Sequence, residues 1–142
     1  MTPIVDPTVG RLISAISARD PKAFAACYAP DAVLVEPLFP EPHTGRAEIA
    51  AGEQSLFDAF SEVEVELITV LADGPRRAVQ LVMHATNSGP IRLDADTAIP
   101  ATGRHIALPM AWFLELNGDG LITSERDYFD AAAFMRQLGL AE

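Results

Sequence analysis

Cysteine is nearly absent: the single Cys27 leaves no internal disulfide. It falls at helical spacing with Phe24 and Tyr28, with no cation or helix N-terminus evident beside it, which reads as a buried structural thiol. Uninterrupted apolar runs are missing too. Acidic residues break every hydrophobic stretch well short of the ~20 residues a membrane span needs, so no membrane association is expected. The segment Met1 to Asp6 lacks the positive start and apolar run of a signal peptide, and the expectation is a cytoplasmic protein. Basic residues are scarce. Ten Lys and Arg against twenty Asp and Glu give a net charge of −10, which repels phosphate backbones and disfavours nucleic acid as a partner. The three histidines, His43, His84 and His105, show no metal-ligand spacing beside a carboxylate, so no metal is expected. His43 and His105 read as loop and outer-face residues, and His84 as a structural residue on a strand. A Gly-rich phosphate loop, a Gly-x-Ser-x-Gly elbow and a Cys/His dyad are all missing, which leaves no cofactor to expect.

What is present is apolar and patterned. The 142 residues suit one domain, 1–142, and 49% are hydrophobic, enough to build a core with a cavity left inside it. Asp6-Pro7 and Asp20-Pro21 are helix-start signals, since Asp accepts from the free amides of a first turn and Pro suits the first helical position. The first helix carries Leu12, Ile13 and Ile16 on one stripe; the second carries Phe24, Cys27 and Tyr28 and stops at Pro30. A short strand over Asp31 to Glu36 meets the stiff loop Pro37 to Pro42, whose prolines supply no ladder donors. A third helix is predicted from about Arg46 to Phe60, with Ile49, Leu56 and Phe60 inward.

Period-2 patterning then takes over. Glu62 to Leu67 alternates strictly, Ala72 to Pro75 is a turn, and Arg77 to Thr86 returns. A long Gly/Pro-punctuated connection from Asn87 to Thr102 follows, whose length and Gly89-Pro90 step suit mobility and leave open whether it is a lid. Arg104 to Leu116 and Leu121 to Phe129 form a hairpin around Asn117 to Gly120, and Asp130 caps a last helix that ends at Gly139. Helices followed by a meander predict an α+β domain: a cone-shaped, curved antiparallel sheet with helices on one face, enclosing a pocket. Ile106, Leu108, Met110, Trp112 and Leu114 alternate with His105, Ala107, Pro109, Ala111 and Phe113, so both faces of this strand are largely apolar. A second copy of the chain is expected to cover the outer face, giving a homodimer.

Taken in order, Tyr28 to Ala32, Glu36-Pro37, Gly45-Arg46, Thr102 to Arg104 and Arg126 to Asp130 make the chain resemble the nuclear transport factor 2-like superfamily. Within it the chain looks most like the SnoaL-like polyketide cyclases and steroid delta-isomerases. Arg126 to Asp130 also resembles the matching stretch of limonene-1,2-epoxide hydrolase. The resemblance implies a deep pocket between sheet and helices that holds an apolar small molecule, and usually a dimer.

Two carboxylates are the catalytic candidates. Glu36 ends the first strand where steroid isomerases carry their proton-moving carboxylate, beside the apolar Val35, Leu38 and Phe39 that could desolvate it. Alternation places Thr123, Glu125, Asp127 and Phe129 on one side of the last strand, and the resemblance puts Asp127 inside the pocket as a general acid/base. The competing readings are a solvent-facing rim Glu36, and an Asp127 that caps the last helix or pairs with Arg126. Trp112, Met110, Leu108, Phe39, Phe57, Phe129 and Met83 are the expected substrate-binding residues. The steroid isomerases' oxyanion-holding Tyr and Asp fall on Leu12 and Trp112 here, and Trp112 also stands where the cyclases carry a His. Epoxide opening would need an Arg and a second Asp beside Asp127; Met83 and Ala85 occupy those places unless Arg92 and Asp94 reach the pocket. The leading expectation is cofactor-independent acid/base chemistry, of isomerase or cyclase type, on an apolar cyclic carbonyl compound of polyketide or steroid-like kind. Epoxide hydrolysis and a non-catalytic binding module are the alternatives.

Overall fold

A computed structural model describes residues 6–141; the reading of the first five residues lies outside it. Its elements run α1 (Pro7–Ser17), α2 (Pro21–Ala25), β1 (Tyr28–Val35), β2 (His43–Thr44), α3 (Gly45–Ala59), β3 (Phe60–Asp73), β4 (Arg76–Asn87), β5 (Ile91–Arg92), β6 (Ala98–Ile99), β7 (His105–Leu116), β8 (Ile122–Tyr128) and α4 (Ala131–Gln137). The three Asp caps are made. Asp6 accepts from the Val9 amide at 2.9 Å, Asp20 from Ala23 at 3.0 Å and Asp130 from Ala133 at 3.1 Å, each satisfying an amide of a first turn that has no partner within the helix.

The main sheet has the order β2-β1-β8-β7-β4-β3. It is mixed, which corrects the expected antiparallel sheet: β1 lies parallel to β8, with Leu34 opposite Glu125 and Val35 opposite Arg126. Parallel neighbours require a crossover, and here the crossover is nearly the whole chain between them. The strand β1 starts at Tyr28, three residues before the sequence suggests, and it ends at Val35, so Glu36 follows the strand. Phe60 begins β3 instead of closing α3. The junction between α3 and β3 is held by Arg19, whose guanidinium donates to the Phe57 and Phe60 carbonyls at 2.6 and 2.8 Å and lies 5.1 Å from the Phe57 ring centre.

Two apolar clusters fill the cone. One joins Val9, Leu12, Ile16, Phe24 and Ile49 of the helices to Leu81, Trp112 and Leu114 of the sheet. The other gathers Phe60, Ala85, Ile91, Ile106, Leu108, Phe134 and Leu138. Val63 and Met110 pack against both. The strand β8 pairs with β7 only from Ala111 onward. Gln137 on α4 serves the uncovered part, accepting from the Ala107 amide at 2.7 Å and donating to its carbonyl at 3.0 Å.

The connection after β4 is tied at its base. Asn87 is fully buried; its side-chain amide donates to the Ala59 and Gly89 carbonyls at 3.0 Å, and its Oδ1 accepts from the Thr102 amide and hydroxyl at 2.8 and 3.1 Å. Between these ties the chain forms the small β5–β6 hairpin, with Ile91 buried in the second cluster. Among the described residues no helix is long and apolar enough to cross a membrane.

Candidate active site

A cavity of about 120 Å³ lies where the two apolar clusters meet. Its walls are aliphatic and aromatic: Leu12, Ile16 and Phe24 from the first two helices, Leu56 and Phe57 from α3, and Phe129 and Phe134 at the chain's end. The sheet contributes Met83 and Ala85 from β4 and Ile106, Leu108, Met110 and Trp112 from β7. Into these walls are set four carboxylic side chains, Glu36, Glu53, Glu125 and Asp127.

Strand alternation positions two of them. On β8, Glu125 and Asp127 point inward and are 2% and 8% exposed, whereas Arg126 and Tyr128 point out. Asp127 sits opposite Trp112 on β7, and Glu125 opposite Leu114. Glu36 enters from the end of β1, and Glu53 from α3. Tyr28, fully buried at the start of β1, donates its hydroxyl to Glu125 Oε1 at 2.6 Å. Glu125 is also hydrogen-bonded to Asp127. Two carboxyl groups can bond in this way only by sharing a proton. Oδ1 of Asp127 is buried without a hydrogen-bond partner.

Burial sets the electrostatics, because a charged carboxylate loses its water here. It pushes Asp127 well above the ordinary carboxylate range, and the charge of Glu125 pushes further. Glu125 is raised by burial too, against the lowering effect of its bonds from Asp127 and Tyr28. Glu36 is pushed up to about 8 by burial and by Glu125. Glu53 rises to about 8 through burial, then through Glu36 and Glu125. Burial and these charges hold Tyr28 protonated. Around neutrality the cluster therefore stores several protons in an apolar space, the condition under which a carboxyl group can act as an acid or as a base near pH 7.

Of the residues singled out by sequence, Glu36, Asp127, Trp112, Met110, Leu108, Phe57, Phe129 and Met83 come together around this cavity. Phe39 does not. The turn from Glu36, closed by the Phe39 amide on the Glu36 carbonyl at 3.3 Å, sends Leu38 to the cavity wall. Phe39 turns away and packs edge-on against His43, with ring centres 4.7 Å apart. The two bland readings of Asp127 also fall: Asp130 caps α4, and Arg126 lies on the opposite face of β8. His84 is on the outer face, 2.8 Å from Glu66.

Arg92 and Asp94 stay outside, in a surface depression with Phe39 and His43. The cavity is therefore without the arginine that epoxide opening needs, and the local likeness to limonene-1,2-epoxide hydrolase finds no support. Glu53 and Tyr28 join the site without being candidates from sequence. Glu53 had a signal: it stands four residues after Ile49 and three and four before Leu56 and Phe57, on the inward stripe of α3. Tyr28 has the helical spacing with Phe24 that suggests α2, yet it opens β1.

A curved mixed sheet and its helices around a cavity make this an α+β fold of the nuclear transport factor 2-like, ketosteroid isomerase-like kind. The chain belongs to the SnoaL-like domain family, whose model matches residues 9–125. It is 30% identical to the steroid Delta-isomerase of Nocardioides simplex over 129 residues, 91% of this chain and 92% of that protein. Two solved structures share the fold. A proposed SnoaL-like polyketide cyclase from Jannaschia sp. CCS1 superposes with a TM-score of 0.80, at 19% identity over 100% of this chain and 99% of that one. A protein with a ketosteroid isomerase-like fold from Catenulispora acidiphila, in complex with trimethylamine, gives 0.78 at 24% identity over 99% and 95% of the two chains.

Proposed function

We propose that this protein is a cofactor-independent isomerase or cyclase that moves a proton on an apolar cyclic carbonyl compound, with Glu36 and Asp127 as its catalytic pair. The observation that carries the proposal is Asp127 itself: a carboxyl set in an apolar cavity with Oδ1 buried and without a hydrogen-bond partner, where burial favours its protonated form. Such a group is costly to keep, and an incoming carbonyl oxygen is the partner it lacks. In the simplest reaction, ionised Glu36 takes a proton from the carbon next to the carbonyl. Asp127 donates to the oxygen as negative charge develops there, and Glu36 returns the proton to a carbon further along the conjugated system. Tyr28 and Glu125 keep Asp127 oriented. Trp112, Met110, Leu108, Phe57, Phe129 and Met83 bind the ring.

The relative from Nocardioides simplex, named a steroid Delta-isomerase, supports a double-bond shift of this type. The volume of about 120 Å³ is close to that of a cavity that holds benzene, so one six-membered ring is the unit this space accepts. The test is cyclohex-3-en-1-one, whose conversion to the conjugated cyclohex-2-en-1-one is followed by ultraviolet absorbance. Turnover that disappears in both Glu36→Gln and Asp127→Asn supports the reading. No turnover of this or any larger β,γ-unsaturated ketone, with ring binding intact, would leave a binding protein.

The homodimer belongs to the same proposal. Ile68, Leu71, Phe113 and Tyr128 are 50 to 65% exposed, and the depression they line with Ala78, Pro109 and Ala111 on the outer sheet face contains no charged residue. On a chain of charge −10, this neutral apolar patch is where a second copy meets least repulsion.

A further inference from the structure

The proposed reaction leaves one acid of the cavity without a task. Glu36 and Asp127 handle the proton, and Glu125 is engaged by Tyr28 and Asp127. Glu53 lines the same cavity and takes no part in that chain of hydrogen bonds. None of the residues around the cavity is Lys, Arg or His. The nearby guanidinium groups are committed elsewhere, Arg19 to the Phe57 and Phe60 carbonyls and Arg46 to the Tyr28 carbonyl at 2.8 Å. Four acids therefore share a small apolar space with no protein cation, and one of them, Asp127, 8% exposed, keeps an unpartnered oxygen.

Apolar walls alone would suit a plain hydrocarbon ring. The acids favour something else: a ligand with positive charge and N–H donors of its own. The aromatic walls add to that preference, because rings such as Trp112, Phe24 and Phe60 attract a cation. We propose that the ring compound this cavity takes carries a protonated amine, with the Glu53 carboxylate as its counter-ion. The proposal rests on the preceding placement of the ligand in this cavity, and it narrows the substrate to a cationic, amine-bearing cyclic carbonyl compound.

A proton balance follows. The groups facing Glu53 are Glu36 from the end of β1, Tyr28 at the start of β1, and Glu125 and Asp127 from β8. All of them are neutral or acidic, so before binding Glu53 is mostly protonated at pH 7. An ammonium ion entering from water must displace that proton, and about one proton per ligand is released to the buffer. A neutral ring compound of the same size releases none.

The experiment is calorimetric titration of the protein at pH 7 with cyclohexylamine and with cyclohexanol, in phosphate and in Tris, whose ionisation enthalpies differ. The expected result is cyclohexylamine at least about tenfold tighter than cyclohexanol, with about one proton released. In Glu53→Gln the amine should lose about tenfold and the alcohol should be unchanged. Equal affinities, an amine complex formed without proton release, or a preference that survives in Glu53→Gln overturns the proposal. The proton count in the wild type needs no variant, so a poorly folded Glu53→Gln does not decide the matter. Turnover of cyclohex-3-en-1-one without any amine preference overturns this inference and leaves the isomerase reading standing. A Glu53-dependent amine preference without turnover does the reverse. If neither ring compound binds, both are lost.

Discussion

Replacing Asp127 by Asn keeps the shape of the side chain and removes a titrating group, and its effect on stability depends on pH in a way the structure specifies. In the unfolded chain this carboxyl ionises near 3.8, whereas in the fold burial and Glu125 hold its pKa well above that. Between the two values the native state carries one proton more than the unfolded state. Stability therefore falls as pH rises, by about 1.4 kcal/mol per pH unit for a group fully protected from water. Asp127→Asn abolishes that contribution. Urea melts at pH 5.5, 6.5 and 7.5 should show the variant no less stable than wild type at pH 5.5. Its advantage should then grow by about 1 to 3 kcal/mol across the two units, the lower figure applying where water enters the cavity. Turnover of the ketone should fall about 10² to 10⁴-fold in the same protein. Parallel stability curves, or a variant less stable than wild type at pH 7.5, would mean that Asp127 is an ionised structural partner, and the catalytic assignment would be refuted.

With Glu36 as the base, kcat/KM should rise with pH and level off above about 8, where its carboxyl is ionised, and Glu36→Gln should abolish the rise along with about 10² to 10⁴-fold of the rate; a flat profile rules the role out. Asn87→Ala leaves the Thr102 amide and the Ala59 carbonyl without their partner, and should lower stability by about 2 to 4 kcal/mol in a urea melt while raising hydrogen exchange from 88 to 102. A loss under about 0.5 kcal/mol would show that the base of this connection is not held by Asn87. Phe113→Glu puts a charge into the neutral outer patch, so light scattering at micromolar concentration should change from dimer to monomer. A monomeric wild type removes the interface.

Local chemistry made much of this molecule readable in advance. An aspartate before a proline announces a helix start because it can accept from amides that have no other partner, and Asp6 and Asp20 do so, as Asp130 does without the proline. Side-chain alternation is a property of one extended strand, so the inward placement of Glu125 and Asp127 follows from β8 alone. Alternation names a face and says nothing of the neighbouring strand. The parallel pairing of β1 with β8, and with it the Tyr28 to Glu125 bond across 97 residues, exists only once the chain has closed on itself. Phe39 and Leu38 are both apolar, and a turn decided which of them faces the cavity. The acidity of the site is the clearest case: each carboxylate is ordinary in the sequence, and its shift arises first from excluded water and then from the neighbouring acids that only the tertiary structure brings around one cavity.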